Sequence, residues 1–442
     1  MRIAYLSAGA GSLLCGACTH DFLIVASLRR LAHEVRVVPL YTPLHSDMGN
    51  LRSGSPIFLG GVSAYLRVHN PGLAKALRVA RPVLDSSALL HVATRGMIQT
   101  SPAKLGDMTL SVLQGAQGPH ADEFARLAHY IRHVVAPDVV VLTNSMLAPI
   151  ATLLNEEKPI PVVSGFLGED SFIMGLSEPY RAQCIELIRQ HAKALRSVLC
   201  PNHAAVEQAG ILLDLQPGQA DVVPAPVDAE LFARPRPKAD GTPTVGYLSV
   251  IRPVKGLDVL VRAMQRVADT IAEPMRLLVA GQIVDPKFLR SVRDLIGRLP
   301  AHVQVEVMGE VTFEQKVAML HQCDLVCTPS RIAETRGLSA MEAMAAGVPV
   351  IAPAIGCFPE LLSEGGGWLF EPENVEDLAR RITPALRDPE QRKSMGEQAL
   401  ARVRSHHNPQ SVAQQTEMTL NRVRQPHWTT QTPAGSSSAP AI

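Results

Sequence analysis

The chain has 442 residues, too many for one ordinary core, so two domains are expected. Hydrophobic residues make up 46% and charged residues 19%, and the formal net charge is +1. That composition supplies large cores and leaves no global field for nucleic acid.

The opening "MRIAYLSAG" reads as a strand and a glycine turn rather than a signal peptide, because no long apolar region precedes a small-residue cleavage site. Seven cysteines are spread widely, and with no export signal they are expected to be reduced in the cytoplasm. The apolar runs are strand-length and interrupted, so no membrane span is expected. A helix is predicted near Asp21 to Leu31, and "HEVRVVPLY", "APDVVVLTN", "KPIPVVSGF", "RSVLCPN" and "ADVVPAPV" follow as strands. Continuous apolar runs bounded by turns suit a parallel sheet covered on both faces. Near 232–242 the text changes to "FARPRPKADGT", which has the composition of a linker. Alternation restarts with "TVGYLSV", "MRLLVAG", "VQVEVMG", "DLVCTPS" and "VPVIAP". The expected organisation is therefore α/β: a first domain over 1–231, a linker over 232–242 and a second doubly wound domain over 243–407. The last helix is expected over 408–424, and the small, proline-rich tail 425–442 is expected to be disordered.

The stretch 67–104 carries Arg67, Lys75, Arg78, Arg81, Arg95 and Lys104 against the single acid Asp85. It has two readings, a peripheral patch resting on anionic lipid at the inner face of a membrane and an insertion helix with a solvated basic face.

The chemistry-bearing text lies in the second half. "RIAETRGLSAMEAMAAGVPVIAP" is the sequel to a strand: a loop with Glu334, a helix opening near Gly337 and Leu338, a stop at Gly347 and Pro349, then another strand. Free N–H groups and the positive dipole end at the helix start suit phosphate. Glu342, more than one turn in, can accept from both hydroxyls of a diol, and Glu334 can address a second hydroxylated group. The competing explanation is that glutamates near helix starts favour the dipole. Upstream, Arg252 and Lys255 sit on a loop before a helix that opens at Gly256, where they can converge on a diphosphate.

The first half is less specific. Gly9 and Gly11 invite a dinucleotide fingerprint, but Leu14 occupies its third glycine position. Cys15 and Cys18 form a Cys-x-x-Cys without a partner pair for a metal. Gly168, Glu169 and Asp170 follow a strand. There the acids either orient an acceptor hydroxyl or cap the next helix.

The run Glu334, Gly337, Leu338, Glu342, Ala343, Met344, Ala345, Gly347, Pro349, Val350 and Ile351 resembles the Glu-x7-Glu signature of retaining glycosyltransferases of family 4, glycosyl transferases group 1. The resemblance covers most of the chain, strongly in the carboxyl half. It implies a GT-B fold, two doubly wound Rossmann-like domains facing a central cleft, whose last helix crosses back to the first domain. It implies transfer of a hexose-like sugar from a nucleoside-diphosphate sugar to an acceptor hydroxyl with retention. Glu334 would hold the donor sugar, Glu342 the ribose, and Arg252 and Lys255 the diphosphate. Gly309, Glu310 and Val311 would lie beside the nucleobase, and Gly16 would match a glycine of the loop over the diphosphate and acceptor. No Asp-x-Asp occurs in the chain, so metal independence is expected, with no cofactor beyond the donor. A glycan, lipid-linked or small-molecule acceptor is implied. The chain departs from the family at Leu167, where relatives often have histidine, at Thr143, Asn144 and Ser145, and at Arg336. The rival functions are a sugar-nucleotide sensor without catalysis, and a glycoside hydrolase or phosphorylase using the two carboxylates as acid and base.

Overall fold

The computed structural model describes residues 1–9, 16–41, 45–46, 49–50, 55–59, 103, 105–156, 158–233 and 241–425. Cys15, nearly all of the basic stretch 67–104, the centre of the expected linker and the tail beyond 425 lie outside the described residues. The chain forms two compact units, Met1–Val223 with Ala413–Ile442, and Pro224–Val412.

In the first unit the strands are β1 (Arg2–Ser7), β2 (Glu34–Pro39), the short pair β3 (His45–Ser46) and β4 (Gly49–Asn50), β5 (Val139–Leu142), β6 (Val162–Gly165), β7 (Ser197–Cys200) and β8 (Ala220–Val222). Six of them form one parallel sheet in the order β2-β1-β5-β6-β7-β8. Every residue of β5 and β6 is buried, which is why these strands do not alternate between apolar and exposed polar residues. The first helix runs Gly16–Arg30, five residues earlier than the hydrophobic pattern suggested. Its opening residues Gly16, Ala17 and Cys18 are small, and small residues mark a helix start weakly.

The second unit holds β9 (Thr244–Leu248), β10 (Met275–Ala280), β11 (Val303–Gly309), β12 (Leu325–Cys327), β13 (Val350–Pro353) and β14 (Gly367–Phe370), in the order β11-β10-β9-β12-β13-β14. All pairings are parallel. Successive residues feed opposite faces: Val245, Tyr247, Leu277, Val279 and Ile351 enter one core, and Leu248, Leu278, Ala280, Val350 and Ala352 enter the other.

The division falls at Val223 and Pro224, not in the proline-rich text that begins at 232. Ala225, Val227, Ala229 and Phe232 are buried in the second unit's core, so this segment belongs to that unit before the composition changes. At its other end the second unit extends to Val412. The helix Pro409–Val423 passes from it into the first unit, where Glu417 meets His33 at 2.9 Å and Arg422 meets Asp221.

His407 ties the two ends of the second unit together. Its Nδ1 donates to the Ala225 carbonyl at 2.9 Å, and the Val227 N–H donates to the His407 carbonyl at 2.8 Å. Burial lowers the imidazole pKa from 6.5 to about 4. Between those values the unfolded chain binds a proton that the folded chain refuses. The stabilisation is therefore present above about pH 6.5 and lost as pH falls toward 4. Urea denaturation should show wild type losing about 2–3 kcal/mol more than His407→Gln between pH 7 and pH 4.5. Equal losses in the two proteins would remove His407 as the cause.

Candidate active site

Parallel order places the carboxyl ends of all six strands of the second unit on one edge. The chain reverses its direction of sheet growth between β9 and β12, and such a switch point leaves a crevice. On one side, β9 leads into a turn, Pro253–Lys255, and then into the helix Leu257–Ala268. Gly256 links turn and helix with φ +68°, and a Cβ there would lie 1.9 Å from the Pro329 carbonyl oxygen. Only glycine lets the turn approach the strand end this closely. On the other side, β12 leads into the loop with Glu334 and then into the helix Leu338–Ala345, entered through Gly337 at φ +64°. Gly356 (φ +62°) backs this loop, where a Cβ would sit 2.6 Å from Glu334 N. The Cys357 N–H donates to the Glu334 carbonyl at 2.8 Å.

Two of the expected residues meet across the switch point. Lys255 Nζ donates to Glu334 Oε1 at 2.7 Å, and each side chain is 15% exposed. In the same turn Arg252 Nε is buried without a hydrogen-bond partner among the described residues. Tyr247 lies beneath, its hydroxyl donating to the carbonyls of Val250 at 3.3 Å and Lys255 at 3.4 Å. Burial first, and then the nearby Glu334 and Asp258 charges, raise its pKa, so it stays neutral.

Glu342 has a partner that the sequence reading missed. Lys316, on the helix Phe313–Leu320, donates from Nζ to Glu342 Oε1 at 2.5 Å. The ammonium lies 5.1 Å from the Phe313 ring centre and 5.9 Å from that of Phe232. Cation–π attraction of this kind holds a lysine in place. The available signal was Lys316 itself, one turn into the helix that follows Gly309, Glu310 and Val311. Gly309 ends β11 at φ +72° with open space where a Cβ would point. Val311 packs against the core beneath it.

The expected residues of the first unit are each placed within that unit. Gly16 begins the first helix. Glu169 neither caps its helix, which is entered through Gly168 with no side-chain cap, nor presents a free carboxylate. It is 5% exposed and accepts from Ser145 N at 2.8 Å, Ser145 Oγ at 2.6 Å and Leu167 N at 2.7 Å. It fastens the loops after β5 and β6. Burial pushes its carboxyl up from the ordinary range, and the three hydrogen bonds oppose that shift. Asp170 is half-buried, and burial raises its pKa too. A carboxylate not singled out from sequence, Asp21, does similar work at the β1/β5 switch point. It is 1% exposed and accepts from Tyr5 at 2.8 Å, Ser7 at 2.7 Å and Thr143 at 2.7 Å. His20, Thr143, Leu167 and Thr416 line a small cavity beside it.

Residues 228–402 match the family described as Glycosyl transferases group 1. The group 1 region thus contains Arg252, Lys255, Lys316, Glu334 and Glu342. MMP α-(1→4)-mannosyltransferase of Mycolicibacterium hassiacum is 26% identical over 234 residues, which are 52% of this chain and 55% of that protein. D-inositol 3-phosphate glycosyltransferase of Stackebrandtia nassauensis is 30% identical over 213 residues, 44% of this chain and 47% of that protein. The chain spans about half the length of these curated relatives. Sucrose-phosphate synthase from Thermosynechococcus elongatus superposes with a TM-score of 0.65 at 18% identity, covering 96% of this chain and 99% of that one. Anabaena HepE, solved in complex with UDP and glucose, superposes with a TM-score of 0.64 at 16% identity, covering 95% of this chain and 99% of that one. The fold is GT-B. Among the described residues, no helix is long and apolar enough to cross a membrane.

The glycine geometry separates two kinds of left-handed position in the group 1 region. Gly256→Ala combines an unfavourable φ with a backbone collision and should destabilise the second unit by about 3 kcal/mol or more. Gly309→Ala meets open space and should cost about 1–2 kcal/mol, the backbone term alone. Denaturant unfolding of both variants against wild type checks the difference, and equal costs would mean that the turn relaxes away from Pro329.

Proposed function

We propose that this protein is a retaining hexosyltransferase that moves a hexose-like sugar from a nucleoside diphosphate to an acceptor hydroxyl without a metal. The observation that carries the reading is the Lys255–Glu334 contact at 2.7 Å across the switch point, within a group 1 region that also holds Glu342 and Arg252. In this reading Lys255 and Glu334 neutralise each other while the site waits. A donor then divides them: its diphosphate oxygens take Lys255 and Arg252, and its sugar hydroxyls take Glu334. Glu342 takes the ribose and is held for it by Lys316.

The chemistry follows from charge. As the sugar leaves, negative charge grows on the departing diphosphate oxygen. Cations already fixed beside it stabilise that charge without reorganising. The buried Arg252 Nε, with its unused donor, suits an oxyanion. The start of the helix Leu338–Ala345, entered at Gly337, adds free N–H groups and the positive dipole end. Metal independence rests on these positive groups and on the absence of an Asp-x-Asp. Retention rests on the likeness of 334–351 to the family 4 signature. The relatives named as mannosyl and inositol-phosphate transferases, and the UDP complex of the Anabaena neighbour, support a nucleotide-sugar donor and a hydroxylated acceptor. The acceptor is proposed to be a glycan, a lipid-linked saccharide or a small molecule, taken up by the first unit. A cytoplasmic location at the inner face of a membrane is part of the same proposal.

Calorimetric titration with UDP, GDP and ADP tests the site. One diphosphate should bind wild type, and Lys255→Ala and Glu342→Ala should each weaken it about tenfold or more, since each deletes a charge-assisted contact. Unchanged affinity in both variants would dismiss the assignment. Turnover with the matching sugar donor should survive EDTA, whereas a complete loss restored by manganese would refute metal independence.

A further inference from the structure

We propose that Arg331 is a positioning residue that holds the Lys255 turn and the Glu334 loop together, so that both address the diphosphate of one donor; this rests on the nucleotide-sugar reading above. Arg331 is the first residue after the Pro329–Ser330 end of the β12 segment, and Glu334 follows it by three. Its guanidinium grips Asp258 with both forks, Nη1 to Oδ1 at 2.8 Å and Nη2 to Oδ2 at 2.8 Å. Nη1 also donates to the Pro253 carbonyl, and the Arg331 backbone N–H donates to the Val254 carbonyl at 2.9 Å. Nε donates to Glu373 Oε2 at 3.0 Å. Thus one side chain and its own backbone reach two successive residues of the turn that carries Lys255, and the first turn of the helix behind it.

This pattern separates positioning from direct contact with substrate. Both Nη atoms and Nε are already committed to protein acceptors, and the Arg331 and Asp258 side chains are only 23% and 13% exposed. Asp258 gains in turn from its place in the first turn of the helix Leu257–Ala268, where a carboxylate faces the positive dipole end. Arginine is needed because its planar fork meets both carboxylate oxygens and a carbonyl at once. The ammonium of lysine is a single point charge. The loop has a second anchor, the Cys357 N–H on the Glu334 carbonyl, so only Ile332 and Ala333 lie between the two anchors. Loosening the Arg331 end lets Lys255 and Glu334 drift relative to each other, and small misplacements of charged groups lower affinity steeply.

The test is a double-mutant cycle read by calorimetry with UDP, GDP and ADP on wild type, Arg331→Lys, Lys255→Ala and the double variant, with melting temperatures alongside. Arg331→Lys should weaken the diphosphate that wild type binds about tenfold while remaining folded, and should change affinity less than twofold once Lys255 is alanine. An unchanged affinity in Arg331→Lys, or an equal tenfold loss with and without Lys255, overturns the inference and leaves the donor site standing. Failure of wild type to bind any diphosphate overturns the donor site and the inference together. Should Arg331→Lys not fold, Asp258→Asn breaks the same bidentate contact from the other side and carries the same cycle.

Discussion

The site depends on β9 lying beside β12. That pairing sets Val245 opposite Leu325 and Gly246 opposite Val326, and it brings together loops 79 residues apart in sequence. A Cβ at Gly246 would lie 2.6 Å from Cys323 Sγ and 3.0 Å from Val326 Cγ2, so a larger residue there would push both side chains aside. From the pairing follow the crevice at the switch point, the approach of the Gly256 turn to Pro329, and the contact between a lysine and a glutamate that neither local element would produce. Parallel strands cannot be joined by a short hairpin, so long crossovers link them, and here those crossovers contain helices. Those helices carry Asp258, Lys316 and Glu342.

Carboxylates in this molecule perform two tasks, distinguished by what surrounds them. Asp21 and Glu169 are 1% and 5% exposed and accept from hydroxyl and backbone donors: Tyr5, Ser7 and Thr143 for Asp21, Ser145 and Leu167 for Glu169. Each joins the end of one strand to its neighbour in the first sheet, and breaking such a buried network would leave donors unsatisfied. Glu334 and Glu342 are 15% and 22% exposed and are each paired with one lysine. A half-buried ion pair is worth little as a fastener once its desolvation is counted, and its members remain able to exchange partners. That difference is the physical reason for reading the second pair as the site and the first as framework.

Much of the architecture was legible in the sequence. The texts of the central strands β5, β9 and β13 are buried throughout because both faces of each sheet are covered there, whereas edge strand β11 alternates, and the punctuation by Gly256, Gly337 and Gly347 marks the helix boundaries. Glu334 and Glu342 were legible because they sit in a run that resembles the family 4 signature, and Lys255 because it stands with Arg252 on a basic loop before a helix that opens at Gly256. The unit boundary was misplaced because composition reports the polar text beginning at 232, whereas burial of Ala225, Val227 and Phe232 decides membership. Lys316 and Arg331 escaped notice because an isolated basic residue on a helix or loop has the same local signature whether it faces solvent or a carboxylate.

The sequence by itself determined the class of fold, the period and chain order of the strands, the glycines that tolerate left-handed backbone, and the identity of the charges proposed to meet a ligand. These are local properties: burial pattern, φ preference and side-chain chemistry act within a few residues. Tertiary structure alone decided which charge faces which. The pairing of Lys255 with Glu334, of Lys316 with Glu342 and of Arg331 with Asp258 spans 79, 26 and 73 residues. Such contacts exist only after the parallel sheet has closed the distance, because the entropy of bringing remote segments together is met by the whole core and not by the pair itself.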